Sequence, residues 1–136
     1  MTGNIISALA YLQTQVGTIT NMRAAPVNPT NNMPTFPAAA SYIVAVNSSA
    51  STSGWRTDLY TIETQIHVQR IEIAQSMSAL QPLYKSFMDV MWTAPRTLGG
   101  YVDAIISVNG NTNMVSQWGN TDTLSIVFQT VVKILQ

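Results

Sequence analysis

The last fifteen residues, Asp122 to Gln136, constrain the fold more than any other stretch of the chain. Leu124, Ile126, Phe128, Val132 and Ile134 alternate with Ser125, Gln129, Val131 and Lys133. That period of two predicts a β-strand sustained for about twice the usual ~5–6 residues. A strand this long requires a partner of similar length, from the same chain or from a neighbouring subunit, because its backbone donors and acceptors must be paired.

Upstream, Ile5, Leu9, Leu12 and Val16 recur at four, three and four residues, which predicts a helix over Asn4 to Val16. Asn4 or Thr2 is placed to cap its start, and Gly17 falls at its end. From Thr18 to Ala40 the periodicity dissolves. Pro26, Pro29, Pro34 and Pro37 lie among Asn21, Asn28, Asn31 and Asn32, which predicts an extended loop over 18–40. Such a loop is either a linker or a segment that orders on binding. Ser41 to Val46 reads as a short strand and Asn47 to Gly54 as an exposed loop or hairpin tip.

Asp58 to Gln69 predicts a second strand. Tyr60, Ile62, Thr64, Ile66 and Val68 share one face, and Leu59, Thr61, Glu63, Gln65, His67 and Gln69 share the other. Between Glu72 and Trp92 the period becomes helical, with Ile73, Met77, Leu80, Tyr84, Phe87 and Met91 forming one stripe that Trp92 closes as a core residue. Pro82 should kink or split this helix. A third strand is expected over Thr97 to Val108, its entrance bent at Gly99-Gly100. A turn-rich stretch follows over Asn109 to Asn120, with a wide turn around Gly110-Asn111. The order α-β-β-α-β-β, with hairpin connections and no repeating βαβ unit, predicts a single α+β domain over 1–136. Its antiparallel sheet of about four strands carries two helices packed on one face.

Charge is scarce. Charged residues make up 9% of the chain, against ~25% in typical soluble domains. Asn, Gln, Ser and Thr stand in their place, since apolar content is an ordinary 46%. Neutral amides and hydroxyls are cheaper to desolvate than ions and can hydrogen-bond across a subunit boundary. The formal net charge is zero, so electrostatics does not oppose self-association near neutral pH. Both features favour a homo-oligomer. Arg23, Arg56, Arg70, Lys85, Arg96 and Lys133 are scattered, which leaves no basic stripe for tight nucleic-acid binding. Without cysteine there are no disulfides or thiolate metal sites. Neither a signal peptide nor a membrane-spanning apolar run is visible, so cytoplasmic synthesis is expected.

The chain offers no catalytic constellation. His67 is the single histidine and lies on the polar face of the second strand, too few imidazoles for an ordinary zinc site. Asp58, Glu63, Glu72, Asp89, Asp103 and Asp122 form no local carboxylate motif, and the glycines form no phosphate cradle. No catalytic residue, metal or cofactor is therefore expected. Trp55 and Trp118, each beside a glycine in an expected loop, and His67 are the candidate interface residues, since large aromatics often anchor interfaces.

Several segments together carry a family resemblance. They are the helix Ile5 to Val16, the strand Asp58-Leu59-Tyr60-Thr61-Ile62-Glu63 running on to His67-Val68, and the helix Ile73 to Met91 with its central Leu80-Gln81-Pro82-Leu83. The Trp118-Gly119 bend and the closing strand Thr123 to Leu135 complete the set. In order, length and style the chain resembles the tail terminator (tail completion) proteins of long-tailed bacteriophages. The Pro-rich loop and the low charge depart from that pattern. The resemblance implies a structural virion protein, not an enzyme. It implies a hexameric ring at the head-proximal end of the tail tube, made in the host cytoplasm and kept in the virion. That ring stops tube polymerisation, contacts the tail tube protein and the head–tail connector protein, and lets DNA pass. Head-closure or tail-tube proteins are the nearest alternative, and a small α+β ligand-binding or enzymatic domain is a second.

Overall fold

The computed structural model describes residues 3–26, 35–50, 54–93 and 96–136. Three helices, α1 (Ile5–Val16), α2 (Ile73–Leu80) and α3 (Pro82–Met91), accompany four strands, β1 (Ala38–Ala50), β2 (Arg56–Gln69), β3 (Ala104–Trp118) and β4 (Thr121–Leu135). The strands form one antiparallel sheet in the order β1-β2-β4-β3. The terminal strand thus finds both its partners within its own chain, with β2 on one side and β3 on the other.

The period-two pattern decides which face is buried. Ile62, Ile66 and Val68 of β2 and Leu124, Ile126, Phe128, Val132 and Ile134 of β4 point into one core with Ala8, Leu12 and Val16 of α1 and Leu80, Leu83, Phe87 and Met91 of α2 and α3. Each of these Val, Leu, Ile, Phe and Met side chains contributes roughly 1.5–3 kcal/mol by leaving water. Phe128 is the centre of this layer. Its ring stacks on Phe87 at 4.0 Å and meets Tyr84 edge-on at 5.7 Å. Gly110 lies opposite Phe128 across the β3–β4 ladder, and a Cβ there would stand 2.8 Å from the ring. Only glycine leaves that space.

Local signals set the helix ends. Asn4 Oδ1 accepts a 3.0 Å bond from the Ser7 N–H and caps α1. Pro82 occupies the first turn of α3, where its missing N–H costs nothing, so the long apolar stripe is split at Gln81. Trp92 does not close the stripe as expected. It is the C-cap of α3 and is exposed, because the apolar face ends at Met91.

Two strands differ from expectation. β1 extends past Ser41 to Val46 in both directions, and Asn47–Ala50, expected as loop, pairs with Leu59–Arg56. β3 is displaced from the expected Thr97 to Val108. Leu98, Gly99 and Gly100 have φ of +48°, +71° and +89°, left-handed values that no strand adopts. The stretch expected as turns, Asn109 onward, is strand instead, with Asn109, Asn111 and Asn113 opposite Gln129, Val127 and Ser125. The expected wide turn at Gly110-Asn111 is absent. The chain reverses at Gly119-Asn120, a tight two-residue connection whose first position has φ +59°. Residues 27–34 of the expected long loop lie outside those described.

Candidate assembly surface

The helices cover one face of the sheet, and the other face holds a polar network that crosses all four strands. The Tyr42 hydroxyl of β1 donates to Glu63 Oε2. Gln65 Nε2 bonds both Tyr42 Oη (2.8 Å) and Glu63 Oε2 (2.7 Å). Gln129 of β4 reaches Glu63 Oε1 at 3.5 Å. Burial pushes the Glu63 carboxyl upward, but these three donors outweigh it and hold it below the usual range. Burial, followed by the adjacent carboxylate, pushes the Tyr42 phenol up to about 12.

His67 continues the chain of bonds. Its Nε2 lies 2.9 Å from Gln65 Oε1 and its Nδ1 lies 2.7 Å from Thr123 Oγ1, which in turn meets Ser116 Oγ of β3 at 2.8 Å. Since Gln65 Oε1 can only accept, Nε2 carries the proton, and Nδ1 accepts from the Thr123 hydroxyl. That is the neutral imidazole. Burial agrees with it, pushing the His67 pKa down to about 4. The Trp118 ring stands edge-on to His67 at 5.1 Å, and Phe36 packs edge-on to Trp118 at 6.5 Å.

The three candidate interface residues therefore occupy different settings. His67 does lie on the polar face, but Trp118 covers it and both are buried in the subunit. Trp118 ends β3 and is not in a loop. Trp55, just before β2, stays 52% exposed. At the same end of the sheet, Asp58 binds Ser48 (2.5 Å) and then Arg56 (3.1 Å), contacts that lower its carboxyl from the ordinary value.

The sheet margins carry features that the sequence reading missed. β1 and β3 are the two edge strands, and neither contains a charged residue or a proline. Natural edges usually carry such residues to prevent pairing with other chains. Bulges interrupt the ladders between Ile43 and Ala45, Ile105 and Ser107, and Asn113 and Ser116. The extra residues are Val44, Ile106, Met114 and Val115, which are 44%, 51%, 40% and 74% exposed. Each bulge thus presents a large apolar side chain at a margin. A signal was present: Tyr42-Ile43-Val44, Ile105-Ile106 and Met114-Val115 are runs of adjacent large apolar residues, which break period two.

One end of the β1 margin is closed. Gln13 Nε2 of α1 donates to the Ala39 carbonyl at 2.7 Å, and Ala24 forms a parallel bridge with Ala38, its carbonyl accepting from the Ala39 N–H at 2.8 Å. Beyond Ala39, no described element pairs with the outer side of β1.

Elsewhere, Tyr11, Gln15, Asp89, Arg96, Leu98 and Gly99 help line a cleft of about 300 Å³ at the C-terminal ends of α1 and α3. Asp89 is already paired with Lys85 at 2.8 Å. Among the described residues, no group of three or more His, Asp and Glu could hold a metal ion, and no helix is long and apolar enough to cross a membrane. No protein-family model matches the chain, and no curated protein matches it.

Proposed function

We propose that this protein is a structural subunit that assembles with its own copies into a closed ring, in the manner of a phage tail terminator. The ring sits at the head-proximal end of a tail tube, where it halts tube growth and meets the head–tail connector. The observation that carries this reading is the pair of sheet margins: two long edge strands, uncharged, free of proline and set with exposed apolar bulges. Bulges can blunt an edge, but uncharged margins that expose large apolar side chains favour association with another chain. A ring buries them, and closure removes the edges altogether.

Low charge supports the same reading. By register, Glu63 and Lys133 are the charged residues that the described strands place on the sheet face away from the helices. A weakly charged wall neither traps nor repels a passing nucleic acid strongly. Size-exclusion chromatography with light scattering, followed by negative-stain imaging alone and with tail tubes, tests the proposal. The expected result is a discrete hexameric ring that binds tube ends. Open-ended filaments would favour the tail-tube alternative, and a stable monomer throughout the micromolar range would overturn the ring.

A further inference from the structure

We infer that the subunits join head-to-tail through β3 of one copy and β1 of the next, with Ala104–Asn111 lying against Ala40–Asn47. This inference rests on the ring reading and names the contact that makes it. Three observations converge on it.

The first is direction. The sheet order β1-β2-β4-β3 is antiparallel throughout, so its two margins run in opposite senses. When a second copy is set beside the first without being turned over, its β1 runs antiparallel to the first copy's β3. The alternation continues across the boundary with no break in the ladder pattern. The helices of every copy then remain on one side of the joined sheet.

The second is level. Registers carried across the strands give the rows Ala40–Gln65–Val127–Asn111, Ala45–Thr61–Val131–Ser107 and Asn47–Leu59–Lys133–Ala104. The part of β1 beyond the Gln13 and Ala24 closure therefore stands level with the first half of β3. Ala40–Asn47 and Ala104–Asn111 are equal in length, and each contains one bulge residue. Val44 and Ile106 flank the same row, that of Ala45 and Ser107. Copies placed side by side without axial offset bring bulge to bulge, so two side chains that each disturb their own ladder pack on one another.

The third is composition. No charge on either stretch opposes contact or demands a counter-ion, and the unpaired backbone groups of one margin are the complement of the other. Two-fold pairing of β1 with β1 would leave every β3 margin open, whereas β3-to-β1 pairing consumes both margins and can close.

The chain has no cysteine, so a placed pair is unambiguous. Val44→Cys, Ile106→Cys and the double variant are each treated with a short bismaleimide and resolved on a denaturing gel, with circular dichroism and light scattering to verify fold and assembly. The double variant should give a ladder of cross-linked species up to the ring, while each single variant stays uncross-linked. Ile106→Lys should keep the subunit's melting transition and weaken assembly about tenfold or more. Cross-linked dimers in either single variant, or an assembled double variant that does not cross-link, would overturn the β3-to-β1 contact while leaving the ring intact. A wild-type monomer would remove the ring reading itself, and this contact with it.

Discussion

His67 shows how a polar residue can be buried when both of its ring nitrogens find a partner. Gln65 and Thr123 bind its two nitrogens and Trp118 packs against its ring in a T-shaped contact. Because the imidazole is held neutral, the unfolded chain takes up a proton near the ordinary value of 6.5 that the folded chain refuses until about pH 4. Folding stability is therefore complete above about pH 6.5 and declines as the pH falls toward 4. Urea titrations at about pH 7.5 and about pH 5 should differ by roughly 2 kcal/mol, and His67→Gln should remove most of that difference. Glu63, whose carboxyl is depressed, adds a loss of the same sign in the lower range where carboxylates titrate. Leu80, fully buried in the helical layer, should cost ~2–5 kcal/mol when replaced by alanine, read as a lower denaturant midpoint.

At the scale of elements, Gly110 and β4 are the critical parts. Gly110→Ala forces a methyl against the Phe128 ring, which is stacked on Phe87, and close to Tyr84, so overpacking should cost about 1–3 kcal/mol by thermal or chemical melting. Ending the chain after Phe128 removes the half of β4 that pairs with Thr57–Glu63 and with Ala104–Asn109, and the far-ultraviolet spectrum of a folded α+β protein should be lost. β4, β2 and the helices were legible in the sequence because apolar periodicity alone specifies them. β3 was not. Its Asn, Gly, Ser and Thr favour turns locally, and the pairing with β4, a tertiary effect, holds them extended. The left-handed residues before it were equally hidden, because Leu98 gives no local hint of a positive φ. The bulge residues at the margins could be seen as breaks in alternation, but which strands are edges depends on sheet order, and no single segment records it.

For the whole molecule, low charge and open margins belong together. An assembly held by backbone bonds and apolar bulges has little for dissolved ions to screen, so its mass by light scattering should stay constant from low to about 1 M sodium chloride. Dissociation by salt would instead place the contacts on charged side chains that meet across the boundary. The closure of one end of β1 has a further effect. A strand laid along a plain margin can slip by two residues and still turn the same face to the core. Here the Gln13 amide and the Ala24 bridge already occupy the outer side of β1 at Ala38 and Ala39, so a neighbouring strand can pair with it only from Ala40 onward. Every junction would then begin at the same point on β1.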